Sequence, residues 1–148
     1  MSALLLDDRL LLDRLLGSGS TALRALARRR SIFTSGFWYY RLCHAIRSDT
    51  VTGALSGPFA AAPSVVKAKA ATALLELPDD VGLVSLRVLG PPMAELVERH
   101  RLNALSLEAL AAALHLGAAI AIARGSENPA LIGAAEAEGV AVHLVATA

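Results

Sequence analysis

The chain has 148 residues, 55% of them hydrophobic and 18% charged, with a formal net charge of +1 and a mean hydropathy of +0.53. That length suits one domain over residues 1–148 that buries most of its apolar surface, and the low charged fraction suggests that a partner covers part of what remains. A single cysteine, Cys43, excludes an intramolecular disulfide and fits a reducing, cytoplasmic compartment, while the near-neutral charge points to no class of partner.

Taken in order, Met1-Ser-Ala-Leu-Leu-Leu-Asp-Asp is not a signal peptide, because acids follow three leucines where a long apolar region is needed. Ala3–Leu6 reads as a buried strand and Arg9–Leu16 as a helix stopped at Gly17-Ser-Gly. Asp7 stands at the C-terminal end of this first strand, where open α/β sheets place their ligands, so it is the first candidate site residue. Its bland role is helix N-cap, and Asp8 and Asp13 are expected to cap or to face solvent. Ser20–Arg30 reads as a second helix with Arg24, Arg28, Arg29 and Arg30, followed by the strand Ser31–Thr34.

Ser35-Gly36 opens a third helix, Phe37–Ile46, and five of the six aromatic residues lie between Phe33 and Tyr40. Arginines beside aromatics can serve RNA by neutralising phosphate and stacking on bases, with Arg28, Arg29, Arg30 and Arg41 as candidates. A solvated basic helix beside core aromatics accounts for the same residues, and the small net charge favours it. The aromatic helix 37–46 is also where the apolar surplus would let two copies associate as a homo-oligomer.

Asp49–Gly57 is expected as a surface loop, with Pro58 and Pro63 before a helix from Ser64 to Glu76. Val81–Arg87 reads as the third strand, and Gly90-Pro-Pro92 as the start of a helix from Met93 to Arg101. Leu105–Leu116 is leucine filled in with alanine, apolar on most of its circumference, and Gly117 is placed to end it in a left-handed turn before the buried strand Ala118–Ala123. Residues 104–123 are long enough to span a bilayer, but Glu108, His115 and Gly117 argue against it and no second comparable segment exists. A loop at Arg124–Pro129, a helix at Ala130–Glu138 and a strand at Gly139–Val145 complete the chain. Strands alternating with helices predict a three-layer α/β/α sandwich around a mainly parallel sheet.

Other chemistries find little support. His44, His100, His115 and His143 have no metal-ligand spacing, Cys43 and His44 are adjacent on a helix and point apart, and Gly17-Ser-Gly lacks the lysine of a phosphate loop.

Three stretches carry a resemblance. Leu4-Leu-Leu-Asp-Asp-Arg-Leu-Leu-Leu12 resembles the strand, acid and helix that begin PIN-domain proteins; residues 102–118 resemble their late helix, and Gly139-Val-Ala-Val142 their closing strand. The likeness covers nearly the whole chain in order. It implies metal-dependent RNA cleavage, as in VapC-type toxins paired with small antitoxins, with several carboxylates converging on Mg²⁺ or Mn²⁺.

Asp7 takes the position of the family's first acid, but the next falls at Arg41, the acid of the late helix at Ser106, and the last near Arg124. Arginine in a ligand position repels the ion. Arg41 would instead pair with Asp7. The expected role is therefore a PIN-like module with a largely lost metal site and no cofactor, binding RNA or an antitoxin-like protein. The alternative is an active Mg²⁺- or Mn²⁺-dependent endoribonuclease with a shifted cluster of Asp7, Glu108 and Glu127. A third reading, a small-molecule-binding α/β domain, has only the fold in its favour.

Overall fold

The computed structural model describes residues 2–47 and 64–147. The expected loop 49–57 and the prolines at 58 and 63 lie outside them.

Five strands form one parallel sheet: β1 (Ser2–Leu6), β2 (Arg30–Thr34), β3 (Val81–Leu83), β4 (Ala119–Ala123) and β5 (Val142–Val145), in spatial order β3-β2-β1-β4-β5. Seven helices surround it among the described residues: α1 (Asp8–Leu16), α2 (Thr21–Ala27), α3 (Gly36–Arg47), α4 (Ser64–Leu75), α5 (Leu86–Arg99), α6 (Ala104–Leu116) and α7 (Pro129–Ala137). The α/β/α sandwich read from the sequence is the architecture observed.

Strand alternation divides the core into two layers. Leu5, Ile120 and Ile122 face α5, α6 and α7, whereas Leu4, Leu6, Ala121 and Ala123 face the leucines of α1 together with Leu23, Leu42 and Leu74. Leu4, Leu5 and Leu6 are all fully buried, which explains a strand with no polar face. Each such side chain contributes on the order of 2 kcal/mol by leaving water. The helix α3 belongs to both layers, with Trp38 on one and Leu42 on the other.

The caps follow the sequence closely. Asp7, Ser20, Asn103 and Asn128 each accept a backbone N–H from the first turn of α1, α2, α6 and α7. Gly117, at φ +60°, ends α6: its N–H donates to the Leu114 carbonyl at 3.3 Å and that of Ala118 to Ala113 at 2.9 Å. This paired closure requires the left-handed residue that glycine supplies. Eight consecutive residues of α6, Ser106–Ala113, are buried, so its near-uniform apolarity reflects contact all round. No helix among the described residues is long and apolar enough to cross a membrane.

Three boundaries depart from expectation. β3 ends at Leu83, because Ser85 caps a helix already running from Leu86, its Oγ accepting the Arg87 N–H at 3.1 Å. Pro91 and Pro92 therefore lie inside α5 and withhold donors from the carbonyls of Arg87 and Val88, which sit on the exposed first turn where water reaches them. Burial of Leu89 and Leu96 holds the helix across the prolines. At the other boundary α2 stops at Ala27, and Arg29 takes a positive φ of 59° to redirect the chain into β2.

Candidate functional site

The sheet is wound in two directions from its centre, β1 to β2 to β3 on one side and β4 to β5 on the other. The crevice outside the ends of β1 and β4 is the switch point where open α/β sheets bind ligands. A small cleft of about 90 Å³ opens there, lined by Asp7, Asp8, Trp38, Arg41, Ser126 and Asn128 among others.

Asp7 is 2% exposed, and both its oxygens are committed. Oδ1 accepts the Leu10 N–H at 2.8 Å, capping α1, and Oδ2 accepts the Ala123 N–H at 2.9 Å, tying the end of β1 to the end of β4. Burial raises its pKa from 3.8 to about 6, against the lowering effect of the two backbone donors; Asp8 adds to the rise and Arg41 opposes it. The candidate site residue and the helix cap are thus one and the same side chain.

Asp8, expected to cap the helix or to face solvent, is buried. Its Oδ1 accepts the Arg9 N–H at 2.9 Å, and Arg41 Nε stands 3.2 Å from Oδ2 as an ion pair without hydrogen-bond alignment. Burial raises the Asp8 pKa and Arg41 lowers it. The pairing expected between Arg41 and Asp7 is therefore made with Asp8, whose Oδ2 accepts no hydrogen bond. Asp13 is buried too, and Arg9 Nε lies 3.6 Å from its Oδ1.

The remaining positions hold other partners. Ser106, 1% exposed, accepts a hydrogen bond from Asn128 Nδ2 at 3.0 Å, latching the start of α6 to that of α7. Glu108, 2% exposed, accepts the Phe37 N–H through Oε1 at 2.7 Å. Ser35 Oγ accepts the Trp38 N–H at 3.1 Å, so two side chains share the first turn of α3. Gly36 is required there, since a Cβ would stand 2.9 Å from Glu108 Oε2. Arg124 and Glu127 are exposed; Glu127 Oε2 accepts the Gly125 N–H at 2.8 Å and closes its own turn.

Asp7, Glu108 and Glu127 are not gathered into a shifted cluster, and no group of three or more His, Cys, Asp or Glu able to hold a metal exists among the described residues. The donor set at the switch point does not fit a divalent cation. One carboxylate is saturated by backbone N–H groups, its neighbour carries a guanidinium, and a serine hydroxyl and an amide stand where further acids would be needed.

The basic candidates divide. Arg28, Arg29 and Arg30 lie where α2 enters β2, and Arg30 pairs in register with Ser2, at the N-terminal end of the sheet. Arg41 lines the cleft at the other end of β1, beside Asp7 and Asp8.

The aromatic helix 37–46 singled out from the sequence is α3, and the structure shows which of its residues are open to solvent. Its exposed residues are Phe37, Tyr40, Arg41, His44 and Arg47, with no acid anywhere in the helix. Tyr40 and His44 stack with ring centroids 6.3 Å apart. Beside them runs an apolar groove of about 510 Å³, lined by Gly36, Phe37, Tyr40, Leu83, Leu86 and Glu108 among others. The signal was available in the 3–4 residue spacing of Phe37, Tyr40, Arg41, His44 and Arg47, obscured by the buried Trp38 and half-buried Tyr39 between them. No protein-family model matches this chain, and no curated protein matches it.

Proposed function

We propose that this protein is a PIN-like module that has exchanged its metal chemistry for binding, and that its ligand is single-stranded RNA lying along the exposed face of α3. The observation that carries the first part is the state of the acidic crevice. Asp7 spends both oxygens on backbone donors, and Arg41 neutralises Asp8. A metal-dependent phosphodiester hydrolase needs carboxylates free to hold hard cations that activate water. These acids instead hold two strands, a helix start and an arginine together.

Support for RNA comes from the composition of the α3 face. Aromatic rings offer stacking surfaces to any base, worth about 1–3 kcal/mol each, and Arg47 offers charge to phosphate on a helix with no acid, with Arg41 beside it already paired to Asp8. The apolar groove beside that face favours a second occupant, a segment of a small antitoxin-like protein, which would dock through side chains rather than charge.

Fluorescence anisotropy with labelled single-stranded RNA separates the readings. Binding should weaken with salt and fall at least about fivefold in Tyr40→Ala, the low end of a lost stacking contact. RNA binding indifferent to both salt and Tyr40 would reject the α3 face. Metal-stimulated cleavage of the RNA, abolished in Asp7→Asn, would reject the loss of catalysis.

A further inference from the structure

The groove between α3 and the start of α5 has apolar walls but a charged floor. Phe37, Tyr40, Leu83 and Leu86 line it together with Gly36 and Glu108. Phe37 and Tyr40 stand three apart on α3, share one face of that helix, and are both exposed. Glu108 is 2% exposed, and its Oε1 is held by the Phe37 N–H at 2.7 Å. Among the described residues its Oε2 accepts no hydrogen bond and its carboxylate has no ion pair. Oε2 is not sealed from solvent, which reaches it through the groove. Gly36 keeps that oxygen uncovered, since a Cβ there would stand 2.9 Å from it.

The start of α3 offsets roughly half a unit of this charge through the helix dipole, and the remainder faces the groove. No basic side chain of the described residues lines the groove to balance it. A wholly apolar occupant would cover Oε2 without a partner and bury an unpaired charge. A metal ion is equally unsuited, because hard cations need several oxygen ligands and the walls here are mostly hydrocarbon and aromatic ring. What satisfies every wall at once is a positive group with N–H donors on an apolar body. The donors serve Oε2, the charge suits the faces of Phe37 and Tyr40, and the body covers Leu83 and Leu86.

We propose that this groove binds a small organic cation, a primary ammonium on an apolar body, with Glu108 as the charge that recognises it. The ammonium donates to Oε2, and the body lies between the rings of α3 and the leucines at the end of β3 and the start of α5. A volume of about 510 Å³ is that of a small-molecule site. The assignment goes beyond the apolar docking described above, since it gives the groove a charge requirement, and it does not depend on RNA binding to α3.

Calorimetric titration of the full chain tests it with probes of one shape and different charge: phenethylammonium, phenethyl alcohol and hydrocinnamate. Phenethylammonium should bind at least about tenfold more tightly than the alcohol, and hydrocinnamate should give no binding at millimolar concentration. In Glu108→Gln, which keeps an oxygen for the Phe37 N–H, the ammonium should fall to the affinity of the alcohol. The probe comparison needs no variant, so it remains decisive if Glu108→Gln fails to fold by circular dichroism. Equal affinity for ammonium and alcohol, no ammonium binding at millimolar concentration, or a preference for the cation that survives in folded Glu108→Gln would overturn the site. Binding of the peptide acetyl-Leu-Arg-Leu-amide but not of phenethylammonium would overturn the small-molecule assignment in favour of a basic side chain from a protein partner.

Discussion

The crevice at the ends of β1 and β4 and the outer face of α3 contain similar polar groups put to opposite use. In and beside the crevice, Asp7, Asp8 and Ser106 are all buried, and their hydrogen bonds run to backbone N–H groups and to the Asn128 amide of the protein itself. On α3, Tyr40, Arg41, His44 and Arg47 are exposed, and Arg41 alone reaches inward, to Asp8. Position in an α/β fold nominates the crevice as a site, but what its acids touch assigns them to structure. A carboxylate aimed at backbone donors is a bolt, whereas an aromatic ring aimed at solvent is open to contact.

The largest expected effect tests whether Asp7 is such a bolt. Its folded pKa of about 6 lies above the ordinary 3.8, so the native state holds its proton more tightly than the unfolded chain. Stability from this group is full below about pH 4 and is lost as pH rises through about 6, the native state binding more protons throughout that window. The loss is on the order of 3 kcal/mol, at about 1.4 kcal/mol per unit. The raised pKa of Asp8 acts in the same direction. Urea unfolding followed over that pH range should show the fall in wild type and a flatter profile in Asp7→Asn. A profile rising with pH would mean that the backbone donors outweigh burial and hold the carboxylate charged.

A smaller effect belongs to Glu108. Glu108→Ala leaves the Phe37 N–H without its acceptor and should cost about 2 kcal/mol in chemical denaturation, whereas Glu108→Gln, which keeps an oxygen there, should cost less than half of that. Gly36→Ala should destabilise wild type through its approach to Oε2 and cost less in the Glu108→Ala background. Ser106→Ala comes next, at about 1 kcal/mol, because Asn128 Nδ2 loses one buried acceptor. Least of all is Arg41→Ala. The Arg41 side chain is 56% exposed, so its pair with Asp8 is weakened by water and the thermal midpoint should move little. If Arg41 also serves RNA, the same substitution should reduce RNA affinity more clearly than stability.

The strands β1 and β4 were legible because continuous apolar runs bounded by Asp, Arg or Gly have few other homes in a chain of this size. Gly117 was an equally local signal, whereas the caps Asn103 and Asn128 emerge only from the structure. The run from Val81 to Val88 was not, since Val84, Leu86 and Val88 continue the apolar pattern past the point where Ser85 starts a helix. In the site, Asp7 could be found from its place at the end of a strand. The burial of Asp8 could not, because it depends on α3 folding back over α1, nor could the role of Glu108, whose acceptor meets a donor 71 residues away. Local pattern locates strand ends and caps, whereas contacts across the sheet decide whether an acid there faces a ligand or the protein.

The central claim is that the acids at the switch point are spent on the fold, and Mn²⁺ titration by calorimetry of the wild-type chain beside Asp7→Asn addresses it most directly. The expected result is the same weak, unsaturated heat from both proteins up to millimolar metal. Saturable binding by wild type that disappears in Asp7→Asn would contradict the claim and return the crevice to metal chemistry.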